Sequence, residues 1–186
     1  MKSIRLTRIF AFIIDCTIIL IYAGSLFGIV TFFQNNAEPN IALLSPIKGQ
    51  LISFLTLTVP AFLYFVLLEN SALYATTGKR ILGLKVVNTN DEKASVKQLL
   101  IRNLLKLGPW EIAHFGVHWI IYYSNQNIEP PFWVMIALVV PQIIVIIYFV
   151  SLIYSKDART LYERASGTKV IRDGNINYSA PLLTEL

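Results

Sequence analysis

The chain has 186 residues but only one cysteine, Cys16. A single cysteine excludes an intrachain disulfide and any zinc site built from cysteine pairs. Charged residues are also scarce, at 15% of the chain, whereas about a quarter is usual in a soluble domain. Hydrophobic residues make up 55% and are gathered into blocks. This composition predicts an integral membrane protein, and we expect neither an internal repeat nor a low-complexity tract.

Four apolar segments are predicted to form the membrane domain. The first, residues 9–33, is roughly 37 Å long as a helix and exceeds the apolar region of a signal peptide, so we expect a retained span. Residues 51–68 and 132–154 are also long enough to cross a bilayer. Residues 96–123 combine a basic amphipathic helix with a shorter apolar segment. The predicted fold is an all-α, four-helix transmembrane bundle with an interfacial amphipathic helix and a small cytoplasmic β-hairpin-like element.

Basic residues are distributed unevenly around the predicted spans. Of the sixteen Lys and Arg residues, three precede the first span, seven lie within residues 69–106 and five lie in the tail, residues 155–186. Four spans with both termini in the cytoplasm place these fifteen residues on one side, as the positive-inside rule expects. We therefore predict a multi-pass protein of the inner or plasma membrane, with a cytoplasmic loop at residues 69–95. The basic excess predicts contact with anionic lipids and not with nucleic acid.

The first span contains an aspartate, Asp15, and begins just after Arg8. An aspartate near the centre of a membrane helix costs about 3 kcal/mol, so such acids usually have a partner or a function. Arg8, Asp15 and Tyr22 recur every seven residues and share one helix face, whereas Gly24 and Gly28 form a small-residue groove opposite. Arg8 and Asp15 are ~10 Å apart along the axis, so each should have a partner on another element. They form either a structural clamp or a protonatable cation site.

Glu111, His114 and His118 share one helix face and form a second candidate site. Carboxylate and imidazole groups can bind a transition metal or relay protons, and they serve equally well as a structural polar face. The spacing differs from His-Glu-x-x-His, so a zinc protease is excluded and a metal site is only a weak candidate. The chain offers no Ser-His-Asp or Cys-His arrangement. We therefore predict that it is not an enzyme and needs no cofactor.

Prolines interrupt the predicted helices. Pro60 and Pro141 lie inside apolar spans, where a proline frees a carbonyl and bends the axis around a cavity. The hydroxyls of Thr56 and Thr58 are expected to cover the gap at Pro60. Pro109 leaves two possibilities for residues 96–123, either one tilted helix or a bent pair.

Three stretches of the chain form a recognisable set. Arg8 stands just before an apolar helix that contains Asp15. Residues 77–87 are followed by a polar turn and by a helix that contains Arg102, and residues 157–170 follow the last span. Together they resemble the RDD family of prokaryotic multi-pass membrane proteins, which is named for one arginine and two aspartates.

The resemblance implies which residues form the family motifs. The arginine corresponds to Arg8 and the first aspartate to Asp15, and the second acid is either Glu163 or Asp157. The implied cytoplasmic motif consists of Gly78, Lys79, Arg80, Gly83, Arg102, Asp157, Glu163, Arg164 and Gly167.

Within this motif, Gly78 and Gly83 are expected to allow tight turns. Lys79 and Arg80 should pair with one of the two candidate acids. Residues 80–87 and the tail segment would then pack as a plate beneath the bundle.

The resemblance implies transport of small ligands or cations. The preferred hypothesis is a small transporter, with cation–proton exchange through Asp15 as its most concrete version and Glu111, His114 and His118 as a relay. The alternative is a non-transporting scaffold or regulatory subunit in which Arg8 and Asp15 clamp the bundle. An intramembrane metalloenzyme is the third class considered. A chain of this size is expected to form a homo-oligomer around any pathway.

Overall fold

A computed structural model describes residues 4–34 and 45–174. The helices and strands follow one another in a simple order, with a π-helical turn between the second and third helices. The elements are α1 (Ile4–Gln34), α2 (Pro46–Ser53), the π-turn (Phe54–Thr58), α3 (Val59–Asn70), α4 (Thr77–Ile81), β1 (Leu84–Asn88), α5 (Val96–Asn125), α6 (Phe132–Tyr154), α7 (Leu161–Ser166) and β2 (Thr168–Arg172).

Three helical segments of the described chain are long and apolar enough to cross a membrane. They are Ile4–Phe33, Pro46–Asn70 and Phe132–Tyr154, and they contain the first, second and fourth predicted spans. The third predicted span belongs to α5, which is one continuous helix through Pro109 and not a bent pair. Because α5 is not among the three apolar helices, the four-helix transmembrane bundle stays a prediction.

Helix α5 begins at the capping box that the sequence predicted. The Ser95 hydroxyl accepts a hydrogen bond from the Gln98 backbone N–H at 3.3 Å, and the Gln98 side chain accepts one from the Ser95 N–H at 2.9 Å. Further along, Gly116 lies against α6, where an added Cβ would stand 2.9 Å from the Leu138 side chain. The absence of a side chain at Gly116 therefore lets α5 and α6 approach closely.

The gap created by Pro60 is covered by another helix. Proline has no N–H, so the carbonyl four residues earlier, that of Thr56, loses its α-helical donor. The Tyr22 hydroxyl of α1 donates to this carbonyl at 2.6 Å. The expectation that the threonine hydroxyls would cover the gap was wrong, because Thr56 donates to Ile52 and Thr58 donates to the Glu111 carboxylate.

Pro109 in α5 is accommodated in the same way. It removes the α-helical donor of the Leu105 carbonyl, and the Tyr148 hydroxyl of α6 donates to that carbonyl at 3.0 Å. In both cases a tyrosine from a neighbouring helix replaces the hydrogen bond that proline cannot make. These two contacts hold α1 against the second apolar segment and α6 against α5.

Strands β1 and β2 form a two-stranded antiparallel sheet, in which Leu84 pairs with Arg172 and Asn88 with Thr168. The expected plate of the loop and the tail is therefore present. The predicted local hairpin was wrong, because β1 pairs with the tail and its return segment supplies only an isolated bridge between Val87 and Lys93. Arg80 and Ile81, expected to start the β element, end helix α4 instead.

The sheet also shows an internal repeat, contrary to expectation. Residues 76–88 and 160–172 both run from a threonine N-cap through a short helix and a left-handed glycine into a strand. Val86 and Val170 hold equivalent places in the two units and also pair with each other, so a local two-fold axis relates the strands. The identical positions are Thr76/Thr160, Arg80/Arg164, Gly83/Gly167, Lys85/Lys169 and Val86/Val170.

A small hydrophobic core joins this sheet to the helices. It contains Ala11 of α1, Leu99 of α5, Ala94, and three strand residues, Leu84, Val86 and Val170. The start of α1 and the start of α5 therefore rest on the sheet. We call this end of the molecule, formed by the N-terminal parts of α1 and α5 with α4, α7 and the sheet, the polar end.

Candidate functional site

A chain of buried ion pairs crosses the polar end. Arg8 contacts Glu163 at 2.6 Å, Glu163 contacts Arg102 at 3.0 Å, Arg102 contacts Glu69 at 3.3 Å, and Glu69 contacts Lys79 at 2.6 Å. Both carboxylates in this series of ion pairs are fully buried, and each of its three basic side chains is at most 10% exposed. Removing one partner of a buried pair costs about 3–5 kcal/mol because the other charge stays buried.

Further hydrogen bonds tie this network to the surrounding elements. The Asn103 amide donates to Glu69 at 3.0 Å, and Arg102 donates to the Thr168 hydroxyl at 3.0 Å. Arg8 also donates to the Ala158 carbonyl. The network consequently links α1, α3, α4, α5, α7 and β2 through charged and amide groups.

Asp15 lies beside this network and has its own set of donors. The Tyr64 hydroxyl donates to it at 2.8 Å, the Thr76 hydroxyl at 2.6 Å and the Gly78 backbone N–H at 2.8 Å. Asp15 is 1% exposed. Its partners therefore lie on α3 and at the start of α4, and the structure confirms that Arg8 and Asp15 each bind another element and not each other.

Gly78 makes the Asp15 site possible through its size. A Cβ at this position would stand 2.2 Å from the Ala11 carbonyl oxygen of α1. Gly78 lies within α4 and not in the predicted turn. The positive φ angles that a tight turn requires occur at Gly83 (62°) and Gly167 (66°), each directly before a strand.

The structure distinguishes the two candidates for the second acid of the motif. Glu163 is fully buried between Arg8 and Arg102, whereas Asp157 is 46% exposed and pairs with Arg164 at 2.9 Å. Glu163 is thus the acid that joins the motif arginine.

Glu163 is held in its ionised form. Burial alone would raise its pKa, but the Arg102 and Arg8 guanidiniums outweigh burial and lower the pKa of the carboxyl to about 2. The Thr160 N–H at the start of α7 also donates to it at 2.8 Å.

The predicted partners of Lys79 and Arg80 were wrong. Lys79 pairs with Glu69, an acid at the end of α3 that the sequence interpretation did not single out. Arg80 points outward and is exposed. The position of Glu69 at the end of an apolar span was the signal that could have identified it.

Glu111, His114 and His118 lie apart from the polar end and face the second apolar segment. Glu111 accepts hydrogen bonds from Gln50 and from Thr58 of the π-turn. The His118 ring lies 2.9 Å from the Ser53 hydroxyl, and the His114 ring packs edge-on against Trp110. Within residues 4–34 and 45–174, no group of three or more His, Cys, Asp or Glu side chains is arranged to hold a metal ion.

A cavity of about 100 Å³ opens beside Asp15 at the polar end. Its walls come mainly from α1, α5 and α6, with contributions from α4, α7 and the sheet. The charged side chains that line it are Arg8, Asp15, Lys79, Arg102 and Lys106, and its apolar lining includes Phe12 and Phe149. The Glu111 and His118 side chains do not line this cavity.

Comparison with known proteins yields one match. The family model described as the RDD family matches residues 5–123, which include Arg8, Asp15 and the 77–87 motif but not Glu163. No curated protein and no solved structure matches the chain. Because the matched range covers well over half of the 186 residues, the chain belongs to the RDD family of membrane proteins.

Proposed function

We propose that this protein is a non-transporting membrane scaffold or regulatory subunit, in which Arg8 and Asp15 clamp the helices onto the polar end. The observation that carries the proposal is the closed set of donors around Asp15: two hydroxyls and one backbone N–H occupy its two oxygens within 2.8 Å. A transported cation would have to displace these donors. Their geometry suits a permanent contact between α1, α3 and α4.

Electrostatics at the same place also favour a clamp over a cation site. The cavity beside Asp15 is lined by four basic side chains and only this one carboxylate. Glu69 and Glu163 offset part of this charge, and the positive charge that remains would repel an entering cation at short range. Proton-coupled cation exchange at Asp15 would require the opposite balance of charge.

The proposal includes the arrangement of the protein in the membrane. The polar end would face the cytoplasm together with both termini, because the loop and the tail carry the basic residues there. We also propose a homo-oligomer that uses the Gly24 and Gly28 face, because small residues let two membrane helices approach closely. Apart from the neighbouring backbone of α1 itself, no atom of the described residues lies within 4 Å of a Cβ built at either glycine. No catalytic role and no cofactor is proposed.

The decisive experiment combines stability and flux. Asp15→Asn replaces one of the two acceptor oxygens by an NH2 group, so the side chain can no longer accept from all three donors, and the melting temperature in detergent should fall. Asp157→Asn, at an exposed acid, is the matched control and should leave the melting temperature unchanged. Wild-type proteoliposomes should show no proton movement with monovalent cations. Cation-driven proton flux that Asp15→Asn abolishes, with unchanged melting, would overturn the scaffold proposal.

Cation–proton exchange is the second candidate, and one observation favours it. Glu111 and His118 contact three hydrogen-bonding side chains along α2 and the π-turn, namely Gln50, Ser53 and Thr58. Single π-turns inside helices frequently mark functional sites. If this polar row conducts protons, Glu111→Gln should abolish flux in proteoliposomes, whereas Glu129→Gln in the α5–α6 loop should not.

A further inference from the structure

The cavity at the polar end has a surplus of positive charge. Four basic side chains line it: Arg8, Lys79, Arg102 and Lys106. The carboxylates available to them are Glu69 and Glu163, which already form the ion-pair chain, and Asp15, which is occupied by its own donors. With Lys106 protonated, four basic side chains stand against these three carboxylates, and the cluster carries one net positive charge.

Lys106 is the source of the surplus. Its ammonium lies 3.0 Å from the centroid of the Phe65 ring, an arrangement that stabilises a cation without neutralising it. Arg8, Lys79 and Arg102 each contact a carboxylate, but among residues 4–34 and 45–174 Lys106 has none within ion-pair distance. Lys106 also lines the cavity, so an anion bound there would supply the charged partner that the described residues do not.

We infer that this cavity binds a phosphate oxyanion, supplied by the headgroup of an anionic phospholipid. Guanidinium and ammonium groups converging on one small space are the donors that bind phosphate best. The cavity volume of about 100 Å³ is well below the about 300 Å³ of the smallest usual ligand pockets. It therefore has room for the charged group only, and the rest of the ligand must lie outside.

The walls of the cavity identify the source of the phosphate. Phe12 of α1 and Phe149 of α6 line it and contact each other edge-to-face, with ring centroids 5.8 Å apart. Val145 and Leu152 extend this apolar wall along α6. Both helices are long and apolar enough to span a membrane, so an acyl chain can run along them while the phosphate meets the basic residues. Basic pockets between membrane helices bind acidic headgroups in this manner.

The test uses the full chain purified in a zwitterionic detergent. Phosphatidylglycerol, phosphatidylcholine and inorganic phosphate are added separately, and thermal melting and native mass spectrometry measure binding. Phosphatidylglycerol should raise the melting temperature and stay bound in the spectrometer, whereas phosphatidylcholine should do neither. Stabilisation by inorganic phosphate alone, equal to that by phosphatidylglycerol, would assign the site to free phosphate and overturn the lipid as its source.

Lys106 is the informative residue to vary because its removal leaves no buried acid unpaired. Lys106→Gln should weaken phosphatidylglycerol binding about tenfold, as expected for loss of one charge-assisted contact. Lys106→Arg should retain binding and shows that the site tolerates substitution. Lys97→Gln, at an exposed lysine on the same helix, is the matched control and should bind like wild type. Equal loss in Lys97→Gln and Lys106→Gln, or equal binding of both lipids, would refute the inference, which does not depend on the scaffold proposal.

Discussion

The hydrogen bond from Tyr148 to the Leu105 carbonyl gives the sharpest prediction about how the bundle is held together. The contact measures 3.0 Å, and it exists because Pro109 cannot supply an N–H to that carbonyl. Tyr148→Phe removes the hydroxyl and keeps the ring. The variant should lose about 1 kcal/mol of unfolding free energy, since net hydrogen bonds contribute roughly 0.5–1.5 kcal/mol and those measured within membranes reach about 1.7 kcal/mol.

The same loss should disappear when the proline is replaced. Pro109→Ala restores an N–H at the position from which α5 can bond its own Leu105 carbonyl, so the tyrosine hydroxyl becomes redundant. In a double-mutant cycle the coupling between Tyr148→Phe and Pro109→Ala should therefore be about 1 kcal/mol, beyond the roughly 0.3–0.5 kcal/mol within which independent sites add. Whether Pro109→Ala itself stabilises or destabilises the protein does not affect this coupling.

The cycle is measured by reversible unfolding of the purified protein in mixed micelles. Tyr154→Phe is the control, because Tyr154 lies on the same helix and is 81% exposed. It should change the unfolding free energy by only a few tenths of a kcal/mol, as surface substitutions usually do. If Tyr148→Phe costs the same with alanine at position 109 as with proline, the hydroxyl does not substitute for the missing N–H and the reasoning fails.

Three further predictions concern the polar end. Gly78→Ala should destabilise the protein by about 1–3 kcal/mol or more, because its Cβ would stand 2.2 Å from a carbonyl of α1. Gly174→Ala, where the described chain leaves open space, should be neutral in the same melt. Lys85 and Ile171 pair across the sheet, so cysteines at these two positions, in a variant that lacks Cys16, should form a disulfide that gel mobility detects. If no disulfide forms under oxidant, the register of β1 and β2 is contradicted. The pKa of Glu163 is about 2 in the folded protein against an ordinary 4.5, so its ionised form stabilises the fold by about 3 kcal/mol. This stabilisation is complete above pH 4.5 and is lost as the pH falls towards 2. The melting temperature of Glu163→Gln should therefore depend less on acid pH than that of the wild type, and an equal dependence would argue against this role of Glu163.

The helices could be predicted from the sequence because their signals are local. Apolar length identified the spans, and the Ser95–Gln98 capping box identified the start of α5. The separation of ~10 Å between Arg8 and Asp15 along the helix axis correctly indicated that each side chain has its partner on another element. Family resemblance added the motif residues around Gly83 and Gly167, which periodicity alone does not mark.

The contacts between distant segments could not be predicted in the same way. The partner of β1 lies more than eighty residues away in the tail, and a strand's edge does not specify which other strand will pair with it. The repeat that relates the two units shares only scattered identities, so its significance becomes visible only when Val86 and Val170 are seen to pair. Likewise, Glu69 and Asp157 are both acids with basic residues a few positions away in the sequence. The fold buries Glu69 in the ion-pair network and leaves Asp157 46% exposed.

The two polar clusters of the protein differ in what they demand of their surroundings. At Glu111 and His118, the hydrogen-bonding partners of the titratable groups are neutral amide and hydroxyl side chains. At the polar end, each carboxylate of the ion-pair chain contacts two basic groups, so removing either carboxylate leaves a buried basic group without its acid. This difference in partners is the reason that we propose a fixed clamp at the polar end and assign proton movement, the second candidate function, to the Glu111 face.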